Sequence, residues 1–235
     1  MTVLTNIKEK LYDFVNNKKI GEIMTFVVGR FMKANEPEKF LLSINEYFDE
    51  KKRNDVLVLQ SILSSDRIMT LKIHKDIENL DIESKELSKD WYSKYAEKSG
   101  GAEMLDVFMS SVIASNDTDG KLDGQLDYYH IISGKTKDDG DNKAAAMFKE
   151  NVKISGSKLL EEGVRWFGLN PITGIPLNRF IMVRGFTDSK VVDKHLIPWD
   201  DPAEPTHSTY TRIWQDQFAS DWGAGLFRTI RQIIH

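Results

Sequence analysis

Apolar residues along the first 160 positions recur at three- and four-residue steps. Ile7, Leu11, Phe14 and Val15 share one side of a helical wheel, and Ile23, Met24, Val27, Val28 and Phe31 make a second, broader stripe. Pro37 stands where a first-turn proline belongs, ahead of Phe40, Leu41, Ile44, Tyr47 and Phe48. Val58, Leu59, Ile62 and Leu63 follow an Asn54-Asp55 cap. In the charged stretch 81–98, Leu87, Trp91 and Tyr95 are spaced by fours, and Leu105, Phe108, Met109, Val112 and Ile113 form another helical face after the Gly100-Gly101 break. Leu159, Leu160, Val164, Trp166 and Phe167 close a further helix. No alternating run competes over this region, and no internal repeat is evident. The pattern predicts an all-α fold, a compact multi-helix domain of short capped helices.

Beyond residue 160 the texture changes. Pro171, Gly174 and Pro176 force irregular backbone, and residues 179–184 are the one place where a short strand is plausible. After an acidic loop with Pro198, Pro202 and Pro205, apolar residues from Tyr210 to Ile234 return to helical steps. That stretch predicts a C-terminal amphipathic helix or arm, anchored over 208–222 by Trp214 and Phe218 and broken at Gly223 and Gly225. The organisation expected is a helical body, 1–160, with an aromatic- and Arg-rich part, 161–235, packed on it as one structural unit.

Composition narrows the function classes. The chain has 235 residues, a net charge of −4 and no cysteine. Thiol nucleophiles, disulfides and thiolate–zinc sites are thereby excluded, and no global basic field draws in nucleic acid. The N-terminus lacks the basic and apolar regions of a signal peptide, and no apolar run approaches the ~20 residues of a membrane-spanning helix. The expected location is the cytoplasm, of a host cell if the chain is viral, with no membrane partner.

Four local patterns suggest chemistry. Asp117, Asp119, Gly120 and Asp123 resemble part of a calcium loop, but the bidentate acid at its end is replaced by Leu126. Ser133-Gly134-Lys135-Thr136 copies the end of a phosphate-binding loop without its first glycine. Ser155 and Lys158 match a serine–lysine pair, but helix capping by Ser155 or Ser157 is the better reading. Asp193, His195, Asp200, Asp201, Glu204 and His207 are the richest polar cluster, and His195, Asp200, Asp201, Glu204 and His207 are the candidate ligands for a divalent metal. Otherwise no cofactor is expected. His74 and His130 read as packing or surface histidines.

Four of the five tryptophans and six of the nine arginines lie beyond residue 160, and these residue types carry much of the binding energy at interfaces. The leading expectation is therefore a non-enzymatic assembly or interaction subunit, more an interaction protein than an enzyme. It would dock on itself or on a protein partner through Trp214, Trp222, Leu226, Phe227, Arg228, Ile230 and Arg231. Two alternatives stand beside it. One is a helical nucleoprotein-like binder of single-stranded nucleic acid using Arg165, Arg179, Arg184 and Arg212. The other is a metal-dependent hydrolase using the Asp193–His207 cluster.

Overall fold

The computed structural model describes residues 26–74, 77–136, 140–174, 179–196 and 219–232. Eight strands dominate them: β1 (Phe26–Ala34), β2 (Val56–Ser61), β3 (Arg67–His74), β4 (Ala102–Ser115), β5 (Tyr128–Thr136), β6 (Val164–Thr173), β7 (Arg179–Phe186) and β8 (Ala219–Arg231). Four helices are interspersed: α1 (Pro37–Glu50), α2 (Ile77–Asp90), α3 (Gly140–Glu161) and α4 (Ser189–Leu196). The strands close into an antiparallel barrel in the order β1-β3-β2-β8-β5-β7-β6-β4. The expected all-α fold is thus corrected to a helix-decorated β-barrel.

The barrel is one unit built twice. Strand, helix, two strands, helix and strand follow one another in β1-α1-β2-β3-α2-β4, and again in β5-α3-β6-β7-α4-β8. Each half has the strand order of a split βαβ, or ferredoxin-like, sheet. Pairing of β2 with β8 and of β4 with β6 joins the halves, so no sheet edge is left open. The repeat lies in topology and register and left no trace in the sequence.

Why helical spacing misled is visible in the core. Strands β2, β3 and β7 are covered on two sides. Val27, Leu57, Leu59, Met69 and Leu71 meet Tyr129, Ile131, Leu169, Ile181, Val183 and Phe227 inside the barrel. The alternate residues of the same strands pack outward under the helices: Met32, Val56, Val58 and Ile68 against Phe40 and Ile44 of α1. In the second half, Ile132, Trp166, Phe180 and Met182 lie against Phe148 of α3. Strands buried on both faces read as near-continuous apolar runs, and such runs satisfy three- and four-residue steps by accident. Val58 and Leu59 therefore belong to β2, and Phe108 to β4. The end of the chain that was expected as an amphipathic helix is β8 from Ala219 onward. Its proposed anchors Trp214 and Phe218 lie outside the described residues.

Where helices were expected on stronger grounds they occur. Pro37 opens α1 at its first position. The charged stretch is α2, which runs on into a π-helical turn, Trp91–Tyr95. The one strand the pattern allowed, 179–184, is β7. Among the described residues no helix is long and apolar enough to cross a membrane.

Candidate functional site

Between the outer face of the first half's sheet and its helices lies a cavity of about 440 Å³. This size is within the range of small-molecule sites. Period-two geometry sets its floor. In β3, Met69 and Leu71 face the barrel interior, so Thr70, Lys72 and His74 face out and line the cavity. Arg30, opposite Thr70 on β1, joins them. The walls are aromatic: Phe40, Tyr47 and Phe48 from α1, and Trp91 and Tyr92 from the π-helical turn. That turn projects Trp91 toward the sheet, edge-on to Phe40 at 5.8 Å and to Tyr47 at 5.9 Å, and nearly parallel to Tyr95 at 5.7 Å. Single π turns within helices recur at functional sites. Gly100 and Gly101, with φ of +72° and +78°, then bend the chain back into β4, a geometry that disfavours a β-carbon.

Glu83 of α2 organises the polar floor. Its carboxylate receives the Lys72 ammonium and the Arg53 guanidinium, the latter at 2.7 Å, and lies 3.3 Å from His74 Nδ1. Asp55 adds a second contact to Lys72 at 3.3 Å. His74 is 4% exposed, and its Nε2 is buried without a hydrogen-bond partner. Burial holds the imidazole below its ordinary pKa, against the pull of Glu83 in the other direction, so the ring is neutral at pH 7. A carboxylate beside Nδ1 favours the Nδ1–H tautomer and leaves Nε2 as the acceptor. Arg30 differs from the other cations: burial lowers its pKa while Glu83 and Tyr47 act on it only through longer-range charge.

The residues singled out from the sequence lie elsewhere. Trp222, Leu226, Phe227, Arg228, Ile230 and Arg231 all fall on β8. Phe227 points into the barrel, edge-on to Phe31 at 6.4 Å. Leu226 packs with the second half's outer cluster and Ile230 with the first's. Arg228 Nε donates to Gln60 Oε1 at 2.9 Å. Arg231 reaches Asp49 at 2.6 Å and donates to the Arg53 carbonyl at 2.7 Å. Arg228 thus ties β8 to β2, and Arg231 ties it to the end of α1 and the loop that follows. Trp214 lies outside the described residues.

The arginines of the nucleic-acid alternative do not share a face. Arg165 binds Asp117 and Asp123, closing the acidic turn that resembled a calcium loop. Arg184 is 1% exposed and donates to His130 Nδ1 at 2.7 Å. Arg179 opens β7, and Arg212 lies outside the described residues. Of the metal candidates, His195 sits on α4 with Nε2 3.1 Å from Glu162, while Asp200, Asp201, Glu204 and His207 lie outside the described residues. Among the described residues no three His, Asp or Glu side chains converge as a metal site would require. Ser133–Thr136 are part of strand β5 and open no helix.

Sequence reasoning missed Arg30, Lys72, Glu83 and Trp91 as site residues and assigned His74 to packing. A signal was present. Met69-Thr70-Leu71-Lys72-Ile73-His74 alternates strictly between apolar and polar, a strand pattern with all its polar members on one face.

No family model and no curated relative matches the sequence. Solved structures do match the fold. A monooxygenase-like protein from Fusobacterium nucleatum superposes with a TM-score of 0.68 at 11% identity, over 90% of this chain and 95% of that one. An anthrone oxidase-like protein gives 0.60 at 12% identity, over 91% and 95%. A mutant chlorite dismutase from Candidatus Nitrospira defluvii, in complex with cyanide, gives 0.54 at 13%, over 89% and 92%. At these identities the likeness is one of fold alone. The matching structures are described as monooxygenase, oxidase-like and chlorite dismutase proteins, which runs against the expected non-enzymatic assembly subunit, and the β-barrel overturns the expected helical nucleoprotein.

Proposed function

We propose that this chain is an enzyme that binds an aromatic small molecule in the first half's cavity and oxidises it with dioxygen. The observation that carries the reading is His74, a neutral imidazole oriented by Glu83 through Nδ1, with Nε2 unpartnered, in the wall of an aromatic-lined cavity. A base held neutral at pH 7 and oriented by a carboxylate is suited to remove a proton from an activated C–H or O–H group. His74 Nε2 takes that proton, and Glu83 steadies the imidazolium that forms. The electron-rich substrate anion then reduces dioxygen. For an activated methylene the overall change is CH₂ + O₂ giving C=O + H₂O, with the proton returned from His74 to the departing oxygen. The likeness to an anthrone oxidase-like protein supports this reaction class, since an anthrone carries such a methylene between aromatic rings.

Anthrone is accordingly the probe. Oxygen uptake and quinone formation should rise above the uncatalysed rate and fall about 100-fold or more in His74→Gln, while the variant still binds the probe. Turnover unchanged in His74→Gln, or no uptake above the uncatalysed rate with anthrone and related activated methylenes, would sink the proposal.

A further inference from the structure

One cation lining the cavity has no anion beside it, and it points to the kind of substrate. We infer that the cavity selects aromatic molecules carrying one negative charge, a carboxylate or an ionised phenol or enol, with Arg30 as the anchor. This rests on the cavity being the substrate site and adds what the substrate must carry.

Three permanent cations line the space, Arg30, Arg53 and Lys72, against one carboxylate, Glu83. Glu83 is committed to Arg53 and Lys72, and Asp55, just outside the lining, adds contacts to the same two cations, at 3.9 Å and 3.3 Å. Glu86 adds a contact to Arg53 at 3.7 Å, so three carboxylates serve Arg53 and Lys72, and Arg30 is the lining cation that none of them reaches. No ion pair or hydrogen bond joins its guanidinium to another described residue, and burial already weighs on its charged form. A half-buried guanidinium without an anion is costly, and a planar donor fork is suited to an oxygen anion. His74 adds no charge near neutral pH, because burial keeps it neutral.

The aromatic lining fixes the rest of the ligand. Phe40, Tyr47 and Trp91 form an edge-to-face cluster on the helix side, opposite Arg30 on the sheet. A ligand between them places a ring system against the aromatics and its anionic group on β1. A neutral ring would leave Arg30 unmatched, and a cationic one would be repelled.

Calorimetric titration of the full chain with 2-naphthoate, 2-naphthalenemethanol and 2-naphthylmethylammonium tests this. Naphthoate should bind tenfold or more tightly than the alcohol, and the ammonium most weakly. Arg30→Gln, which breaks no ion pair, should bring naphthoate down to the affinity of the alcohol and leave the alcohol unchanged. Equal binding of naphthoate and alcohol to the unaltered protein overturns the charge selection, as does a naphthoate preference that survives in Arg30→Gln. If the alcohol's binding is also lost in Trp91→Ala, the cavity remains the site even as the charge inference falls. If none of the three probes binds, both the inference and the site reading fail.

Discussion

Lowering the pH from 6.5 to 5 should cost this protein about 2 kcal/mol of stability through His130 alone. His130 is 8% exposed and takes a hydrogen bond from Arg184, so burial and the neighbouring guanidinium push its pKa down to about 3. In the unfolded chain it titrates at ~6.5. Between those values the unfolded state holds one proton more than the folded state. Stability therefore rises with pH across the window and falls as the solution is acidified, by about 1.4 kcal/mol per pH unit. At pH 6.5 the unfolded histidine is only half protonated, so the slope builds up to its full value as the pH falls and the loss over the 1.5 units comes to a little under ~2 kcal/mol. Carboxylates contribute mainly below this range. His74 and His195, also held low by burial, add slope of the same sign. The contribution of His130 is isolated by comparing urea midpoints of the protein and of His130→Gln, which keeps an acceptor for Arg184. The variant should lose less of its midpoint on acidification, by a little under ~1 M at a urea slope of about 2–3 kcal/mol/M. Parallel pH dependences for the two proteins would refute the argument, whatever their difference in absolute stability.

Two further outcomes follow from packing and charge. A β-carbon at Gly29 would sit 2.2 Å from Phe108 Cζ, so Gly29→Ala should cost about 1–3 kcal/mol as an overpacked contact. The melting temperature should drop by about 2–12 °C, and most of the loss should vanish in a Phe108→Leu background; strict additivity in calorimetry would rule the contact out as the cause. Asp117 accepts from the Lys121 and Leu122 amides at 2.8 and 3.0 Å and from Arg165 Nε at 2.9 Å. Removing it in Asp117→Ala should cost about 2–4 kcal/mol, because two backbone amides lose their acceptor and Arg165 is left with Asp123 alone, and millimolar calcium should leave the melting temperature unchanged. A calcium-dependent rise would mean that the turn binds the ion after all.

The sequence made α1 and α2 legible because their signals are local: a first-turn proline in one, a charged surface with a narrow apolar stripe in the other. β7 was also legible, a short apolar run bounded by arginines. β2, β4 and β8 were not. β2 is buried by two different layers, the barrel interior and the helices, and a residue buried on either side looks the same in sequence, while β4 and β8 are largely half-exposed and their apolar residues fall at three- and four-residue steps. Several of the arginines concentrated toward the C-terminus make contacts within the chain. Arg228 and Arg231 bond Gln60 and Asp49, and Arg165 bonds Asp117 and Asp123, so these guanidiniums join distant segments of one chain. The cavity was hidden for a related reason. Its members come from several strands, α1, α2 and the π-helical turn; the stripes of Phe40, Ile44 and Tyr47 and of Leu87 and Trp91 were visible in the sequence, but nothing in it showed that they face Thr70, Lys72 and His74.

The two halves share a scaffold and differ in what they build on it. Register sets the correspondence: Val28 faces Lys72 as His130 faces Arg184, Arg30 faces Thr70 as Ile132 faces Met182, and Phe26 faces His74 as Tyr128 faces Phe186. The positions that carry Arg30, Thr70 and His74 around the cavity are thus Ile132, Met182 and Phe186 in the second half. There the space under the helices is occupied by Phe148, set edge-on to Trp166 at 5.3 Å and pressed against Gly168 so closely that a β-carbon would lie 2.4 Å from its ring. A polar, hollow half is less stable than a filled one, since its buried charges and unfilled volume both weigh against folding. Closing the barrel through β2–β8 and β4–β6 couples the two, so the packed half and the continuous interior core can hold the hollow one in shape. That coupling gives a physical reason why Arg30 and the Nε2 of His74 can stay without partners: their cost is borne by the whole barrel.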